Sequence, residues 1–96
     1  MGPGLEPVHR EFETGSGVID LIFKDKDGTL LAVEVKNVAD QETVGQVLKQ
    51  SNGLKDKLGL SSFRRAIVAL RTSDNVRAAC KDAGVELYLL TADRQT

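Results

Sequence analysis

Three residues in the first half of the chain have the types and spacing for metal-assisted chemistry: Asp20, Glu34 and Lys36. Asp20 interrupts the apolar run Val18–Phe23 (VIDLIF), where a lone carboxylate carries a desolvation penalty of several kcal/mol. Glu34 and Lys36 alternate with Val33 and Val35 in Leu30–Lys36 (LLAVEVK), and the two segments are joined by the turn sequence KDKDGT, whose Asp27-Gly28 pair signals a hairpin. If the turn is centred on Asp27, Asp20 lies opposite Glu34, Ile22 opposite Ala32 and Val18 opposite Lys36. With a side-chain period of two, all of these point to one face, and the two acids have Cβ atoms about 4.5–5.5 Å apart. Opposed like charges repel, so something must compensate. Lys36 neutralises one charge, and a divalent cation that prefers oxygen ligands, such as Mg²⁺, would take up the remainder. The alternative at this level is a salt-bridged triad without metal, which is weakly favourable at best.

The remaining elements follow from periodicity and caps. Asp40 is placed as a helix N-cap with Glu42 in the first turn; Val44, Val47, Leu48, Leu54 and Leu58 recur at helical spacing, and Gly59 offers the stop. Gly45 and Gly53 are poor formers inside that helix, so at least one must answer to close packing or function. Arg65–Leu70 (RAIVAL) reads as a buried strand, Ser73 caps a second helix ended by Gly84, and Val85–Leu90 (VELYLL) reads as the last strand. Pro3 and Pro7 oppose a helix at the start, where Val8–Glu13 is a poorly patterned segment and at most an extra strand. The expected fold is one α/β domain over residues 1–96: a mixed sheet of four or five strands, a hairpin followed by parallel crossovers, with two helices against it. Residues 1–7 are expected to be flexible or left over from cloning, and 91–96 to form a polar tail.

Charge is unevenly distributed. Residues 1–48 hold four Lys/Arg against nine Asp/Glu, and residues 49–96 hold nine against five, so a net charge of −1 conceals an acidic half beside a basic half. That suits a cation site next to a phosphate-binding surface. Cys80, the sole cysteine, excludes an internal disulfide and a multi-cysteine zinc site; its spacing from Val76, Ala79 and Ala83 makes it a core-facing thiol. His9, the sole histidine, lies in a different segment, which leaves a cysteine nucleophile without a base. No secretory signal and no apolar run long enough for a membrane span are present, and an intracellular, cytoplasmic location is expected.

An aspartate, a hairpin's length and then E-x-K resemble the PD-(D/E)xK nuclease superfamily, with Asp20, Glu34 and Lys36 in the motif places. The longer run GVIDLIFKDKDGTLLAVEVKNVADQETVGQVLKQ resembles the catalytic domain of the NucS/EndoMS endonucleases, and the likeness extends over roughly residues 9–90. The resemblance implies a restriction-endonuclease-like core that binds Mg²⁺ or Mn²⁺ through Asp20, Glu34 and the backbone carbonyl of Val35. It further implies that Lys36 positions the attacking water and that Gln46 is the glutamine of the following helix near the active site. Where the family often carries an aromatic four residues after that glutamine, this chain has Gln50. The separate N-terminal domain of the full-length family, and the helix that commonly precedes the first core strand, are not expected within these residues. The chain is expected to be a minimal relative or an excised domain.

Hydrolysis of DNA phosphodiesters is therefore the expected activity, with grip on the backbone from Lys49, Lys55, Arg64 and Arg65, and further from Lys57, Arg71 and Arg77. The residues do not separate DNA from RNA. One site cuts one strand, so a homodimer is expected if the substrate is duplex. The alternatives are a non-catalytic nuclease-fold module that binds nucleic acid or a protein partner, and a structural α/β domain with an internal ion pair.

Overall fold

A computed structural model describes residues 4–90, ordered as β1 (Glu6–Glu13), β2 (Val18–Lys24), β3 (Leu30–Val38), α1 (Gln41–Leu58), β4 (Arg64–Arg71), α2 (Asp74–Ala83) and β5 (Glu86–Leu89). The expectations for residues 1–3 and for the tail 91–96 lie outside the described residues. The five strands form one sheet in sequence order, with β1, β2 and β3 antiparallel and β3, β4 and β5 parallel.

The hairpin between β2 and β3 has the register expected from its turn: Lys24 pairs with Leu30, Phe23 with Leu31, Ile22 with Ala32 and Leu21 with Val33. Asp25 closes the turn by accepting the backbone N–H groups of Asp27 at 2.9 Å and Thr29 at 3.0 Å, while Gly28 takes a φ of 86° that disfavours any residue with a Cβ. Both later connections step to the next parallel strand on the same side. Right-handed crossovers then put α1 and α2 on one face of the sheet.

Caps delimit both helices as the sequence indicates. Asp40 accepts Thr43 N–H at 2.9 Å and the Thr43 hydroxyl reaches back to Asp40 N–H at 3.3 Å, while Gly59 ends α1 in the left-handed region. Ser73 and Gly84 do the same for α2. Under the helices, Val44, Val47, Ile67, Ala69, Val76, Cys80 and Val85 form the main core, with Ile19, Ile22, Ala32 and Leu54 beside it. The opposite face is apolar as well. Phe23, Leu31, Val33 and Ala66 are buried there, and together with Leu5, Val68 and Tyr88 they border a groove of about 520 Å³.

Three expectations are corrected. The opening segment is a full eight-residue strand, and it begins at Glu6, inside the stretch assigned to a flexible start. As an edge strand β1 exposes nearly every side chain, so no alternating pattern marks it, and Pro7 is tolerated at such an edge. Leu58 does not belong to the buried stripe of α1: it is 41% exposed, whereas Gln50, Ser51 and Gly53 are buried. The reason is that the second half of α1 leans over the β1–β2 turn, where Lys57 Nζ donates to the Glu13 carbonyl at 2.8 Å.

That lean explains Gly53. A Cβ there would lie 2.9 Å from Thr14 Oγ1 and 3.1 Å from Ser16, and the Thr14 hydroxyl is itself fixed by its bond to the Gly17 carbonyl at 2.8 Å. Gly45 faces open space. Alanine favours a helix by about 1 kcal/mol over glycine, whereas overpacking costs about 1–3 kcal/mol. Gly45→Ala is therefore expected to stabilise the protein by about 0.5–1 kcal/mol and Gly53→Ala to destabilise it, and urea unfolding of the two variants should give shifts of opposite sign.

Candidate active site

The site forms where β2 parts from β3. Backbone pairing ends at Leu21↔Val33. In a continuing antiparallel ladder, Val35 N–H would go to the carbonyl of Ile19; instead it donates to Asp20 Oδ2 at 2.8 Å. The side chain thus replaces a ladder bond and holds Asp20 at the seam between the strands. Its backbone surroundings are irregular on the other side too. Between the pairs Arg10↔Leu21 and Phe12↔Ile19 stands Glu11, with a φ of 52° that side-chain-bearing residues seldom adopt.

This geometry alters one expectation. The alternation rule places Asp20 on the face of Ile22, but Ile19 and Ile22, three residues apart, pack together beneath α1. The pleat is therefore broken across Asp20 and Leu21, and Asp20 points to the seam rather than under the helix. The two acids still interact, because the charge of Asp20 acts on Glu34.

Glu34 does lie on the helix side, 8% exposed, beside Val47, Gln50, Ser51 and Ile19 in a cleft of about 10 Å³. Its Oε2 is 3.9 Å from Lys36 Nζ, and its buried Oε1 has no hydrogen-bond partner among the described residues. Burial, and then the charge of Asp20, push the Glu34 carboxyl above the usual carboxylate range, against the opposing pull of Lys36. The half-exposed lysine therefore does not fully compensate the pair. Among the described residues no third Asp, Glu, His or Cys completes a cluster, so any cation here would draw its other ligands from neutral oxygens and water.

The helix contributes differently from the sequence expectation. Gln46 is exposed; Gln50, one turn on, is buried and lines the cleft with Glu34. A signal for Gln50 was available, since position 50 falls between Val47 and Leu54 on the buried stripe.

The basic residues separate into two groups. Lys49 and Lys55 are exposed on α1. Arg65 is on the Glu34 side of the sheet, where it donates to Ser51 Oγ at 2.7 Å and lies over the Phe63 ring at 4.6 Å. Arg64 points to the opposite face, in a two-pronged bond to Glu86 at 2.8 and 2.7 Å with Asp25 at 3.6 Å, and so is not available beside the site. Arg71 and Arg77 are exposed, and Lys57 is held by the β1–β2 turn. No helix among the described residues is long and apolar enough to cross a membrane.

The family model described as the endonuclease NucS C-terminal domain matches residues 1–96. The chain belongs to the NucS C-terminal domain family. An endonuclease NucS from Frankia alni is 33% identical over 94 residues, covering 97% of this chain and 43% of that protein. A repair endonuclease structure from Pyrococcus abyssi superposes with a TM-score of 0.81 at 27% identity, over 94% of this chain and 40% of that one. The fold is also that of a structure described as an EndoMS–dsDNA complex, with a TM-score of 0.82 at 24% identity, over 99% of this chain and 40% of that one. This NucS C-terminal domain thus spans about two fifths of the length of such relatives.

The environment of Glu34 sets a pH dependence for the metal-free protein. A carboxyl raised in the folded state binds its proton more tightly there than in the unfolded chain, so stability falls as the pH rises through the window between the two values. Glu34→Gln is expected to raise Tm in chelator at pH 8. That gain should vanish below about pH 4.5, the ordinary glutamate value, where both states are protonated. A gain independent of pH would contradict this account of the site.

Proposed function

We propose that this domain is a PD-(D/E)xK nuclease that hydrolyses DNA phosphodiester bonds with Mg²⁺ or Mn²⁺. The observation that carries the reading is the buried Oε1 of Glu34, a carboxylate oxygen without a hydrogen-bond partner among the described residues, beside a second acid and an incompletely compensating lysine. Two carboxylates with neutral oxygens suit Mg²⁺ or Mn²⁺, which keep several waters, better than zinc, which favours histidine and cysteine. Asp20 and Glu34 would hold the ion. In an extended strand, the N–H and C=O of one residue leave on the same edge, so the Val35 carbonyl points towards β2 as its N–H does, in keeping with a third ligand.

When bound, the cation supplies Lewis-acid polarisation of the phosphoryl oxygen and positive charge against that building on the phosphate. The protein residues do the rest. The Val35 N–H bond fixes Asp20 in one orientation. Lys36, anchored near Glu34 Oε2, orients the attacking water and offsets transition-state charge. Gln46, on the exposed side of α1, would face the approaching strand. Lys49 and Lys55 on the helix, with Arg65 at its base, line the approach with positive charge. The relatives named as NucS endonucleases and the EndoMS–dsDNA complex support DNA as the substrate. Cleavage of both strands of a duplex would take two copies, because each domain carries one such site.

The test is a nicking assay on supercoiled DNA with Mg²⁺ or Mn²⁺. Asp20→Ala and Glu34→Ala should abolish cleavage while circular dichroism stays unchanged, and Lys36→Ala should slow it by about 10²–10³-fold. Nicking that persists in Asp20→Ala would sink the assignment. Mn²⁺ and DNA binding without nicking would instead favour a binding module, a reading kept in view by the chain's two-fifths share of its relatives' length.

A further inference from the structure

We propose that Gln50 is a positioning residue of this site, acting on the carboxylate of Glu34 through a water held between them, and that Gly17 is the residue that makes room for it. The inference rests on the metal-site reading above and extends it to a residue on α1. Gln50 is 7% exposed and Glu34 is 8% exposed, and both line the same cleft. The rest of that lining, Ile19, Ala32, Val33 and Val47, is apolar apart from Ser51. The Ser51 hydroxyl is already engaged, donating to the Val47 carbonyl at 2.6 Å and accepting from Arg65 Nε at 2.7 Å. Gln50 therefore supplies the uncommitted polar group in a cleft that contains a buried carboxylate oxygen without a partner.

The chemistry of an amide suits the task. Its NH₂ can donate to a carboxylate, and its oxygen can accept from a water that the carboxylate or a cation holds, so one side chain serves the site with or without metal. A cleft of about 10 Å³ has room for roughly one water, which matches a bridge between two groups rather than a channel. An apolar side chain of similar length would serve neither state, and a charged one only one of them.

Gly17 carries the second half of the argument. It lies in the β1–β2 turn, three residues before Asp20, with a φ of 136°. A Cβ at this position would meet Gln50 Cγ at 3.0 Å and Nε2 at 3.1 Å. The glutamine thus packs flat against a bare stretch of backbone and is pinned between that turn and the cleft. It packs against the turn that leads into β2 while lining the pocket of Glu34.

The experiment compares Mn²⁺ binding by calorimetry in the wild-type chain, Gln50→Met and Asp20→Ala, with thermal unfolding in chelator as the structural control. In parallel, ¹⁵N spectra of the wild-type protein follow the side-chain NH₂ signals during a Mg²⁺ titration. Gln50→Met should weaken Mn²⁺ binding by about 10–100-fold with an unchanged Tm, the range seen when a group that orients a metal ligand is lost. The Gln50 NH₂ signals should shift with Mg²⁺ while those of Gln41, whose amide donates to the Asn75 carbonyl, stay in place. Wild-type affinity in Gln50→Met, or a Gln50 NH₂ pair that does not respond to Mg²⁺, would overturn the proposal; the second readout decides if the variant fails to fold. If the wild-type chain binds Mn²⁺ no better than Asp20→Ala, the metal site itself is refuted and the role of Gln50 falls with it.

Discussion

The bond from Val35 N–H to Asp20 Oδ2 governs the arrangement of the whole site. Two strands joined by a tight hairpin would ordinarily continue their ladder, and a continuous ladder would leave no gap for a ligand between them. Here the backbone pairing stops and a carboxylate takes over, satisfying a strand N–H that would otherwise be orphaned. The exchange opens the sheet locally without leaving a donor unpaired. It also converts a flexible side chain into a fixed one, since a charged acceptor holds a backbone donor more firmly than a neutral one does. Glu34 then needs only the next outward step of β3 to meet it, on the side where α1 closes over.

Beyond the capping Thr43, the polar residues buried under α1 gather at one end of the helix, towards the β1–β2 turn. The main core beneath α1 and α2 is made of aliphatic side chains with Cys80 among them, whose thiol is pushed up by burial and plays the part of a small hydrophobe. Towards the β1–β2 turn the same helix presents Gln50, Ser51 and Gly53 to its neighbours. Those residues form a polar hinge between helix and turn rather than an oil-filled contact, and Arg65 reaches into it through Ser51. Aliphatic packing beneath α1 and α2 thus gives way to polar contacts where α1 meets the β1–β2 turn.

Much of this was legible in the sequence, for identifiable reasons. The hairpin register follows from the Asp27-Gly28 turn and from strand periodicity, which leave little freedom once one face is buried. Helix limits follow from Asp40, Gly59, Ser73 and Gly84, whose side chains or lack of them satisfy the free ends of the backbone. β1 was obscure because an edge strand exposed on both faces has no burial to encode. The displacement of Asp20 to the seam was hidden because alternation presumes an unbroken pleat, and Ile19 takes the inward position only where that pleat breaks. Gln50 stands out in the sequence only as a departure from the family's aromatic, although its place between Val47 and Leu54 marks it as inward.

The hairpin has a consequence for how such sites vary between chains. The turn from Asp25 to Thr29 touches neither acid, and the residues at its tip, Lys26 to Gly28, are exposed. The loop can lengthen or shorten while the strands keep their ladder, so the number of residues separating the two acids is incidental. Their meeting depends on counting outward from the last rung, where Leu21 faces Val33: one step along each strand reaches Asp20 and Glu34, however much chain is looped out beyond.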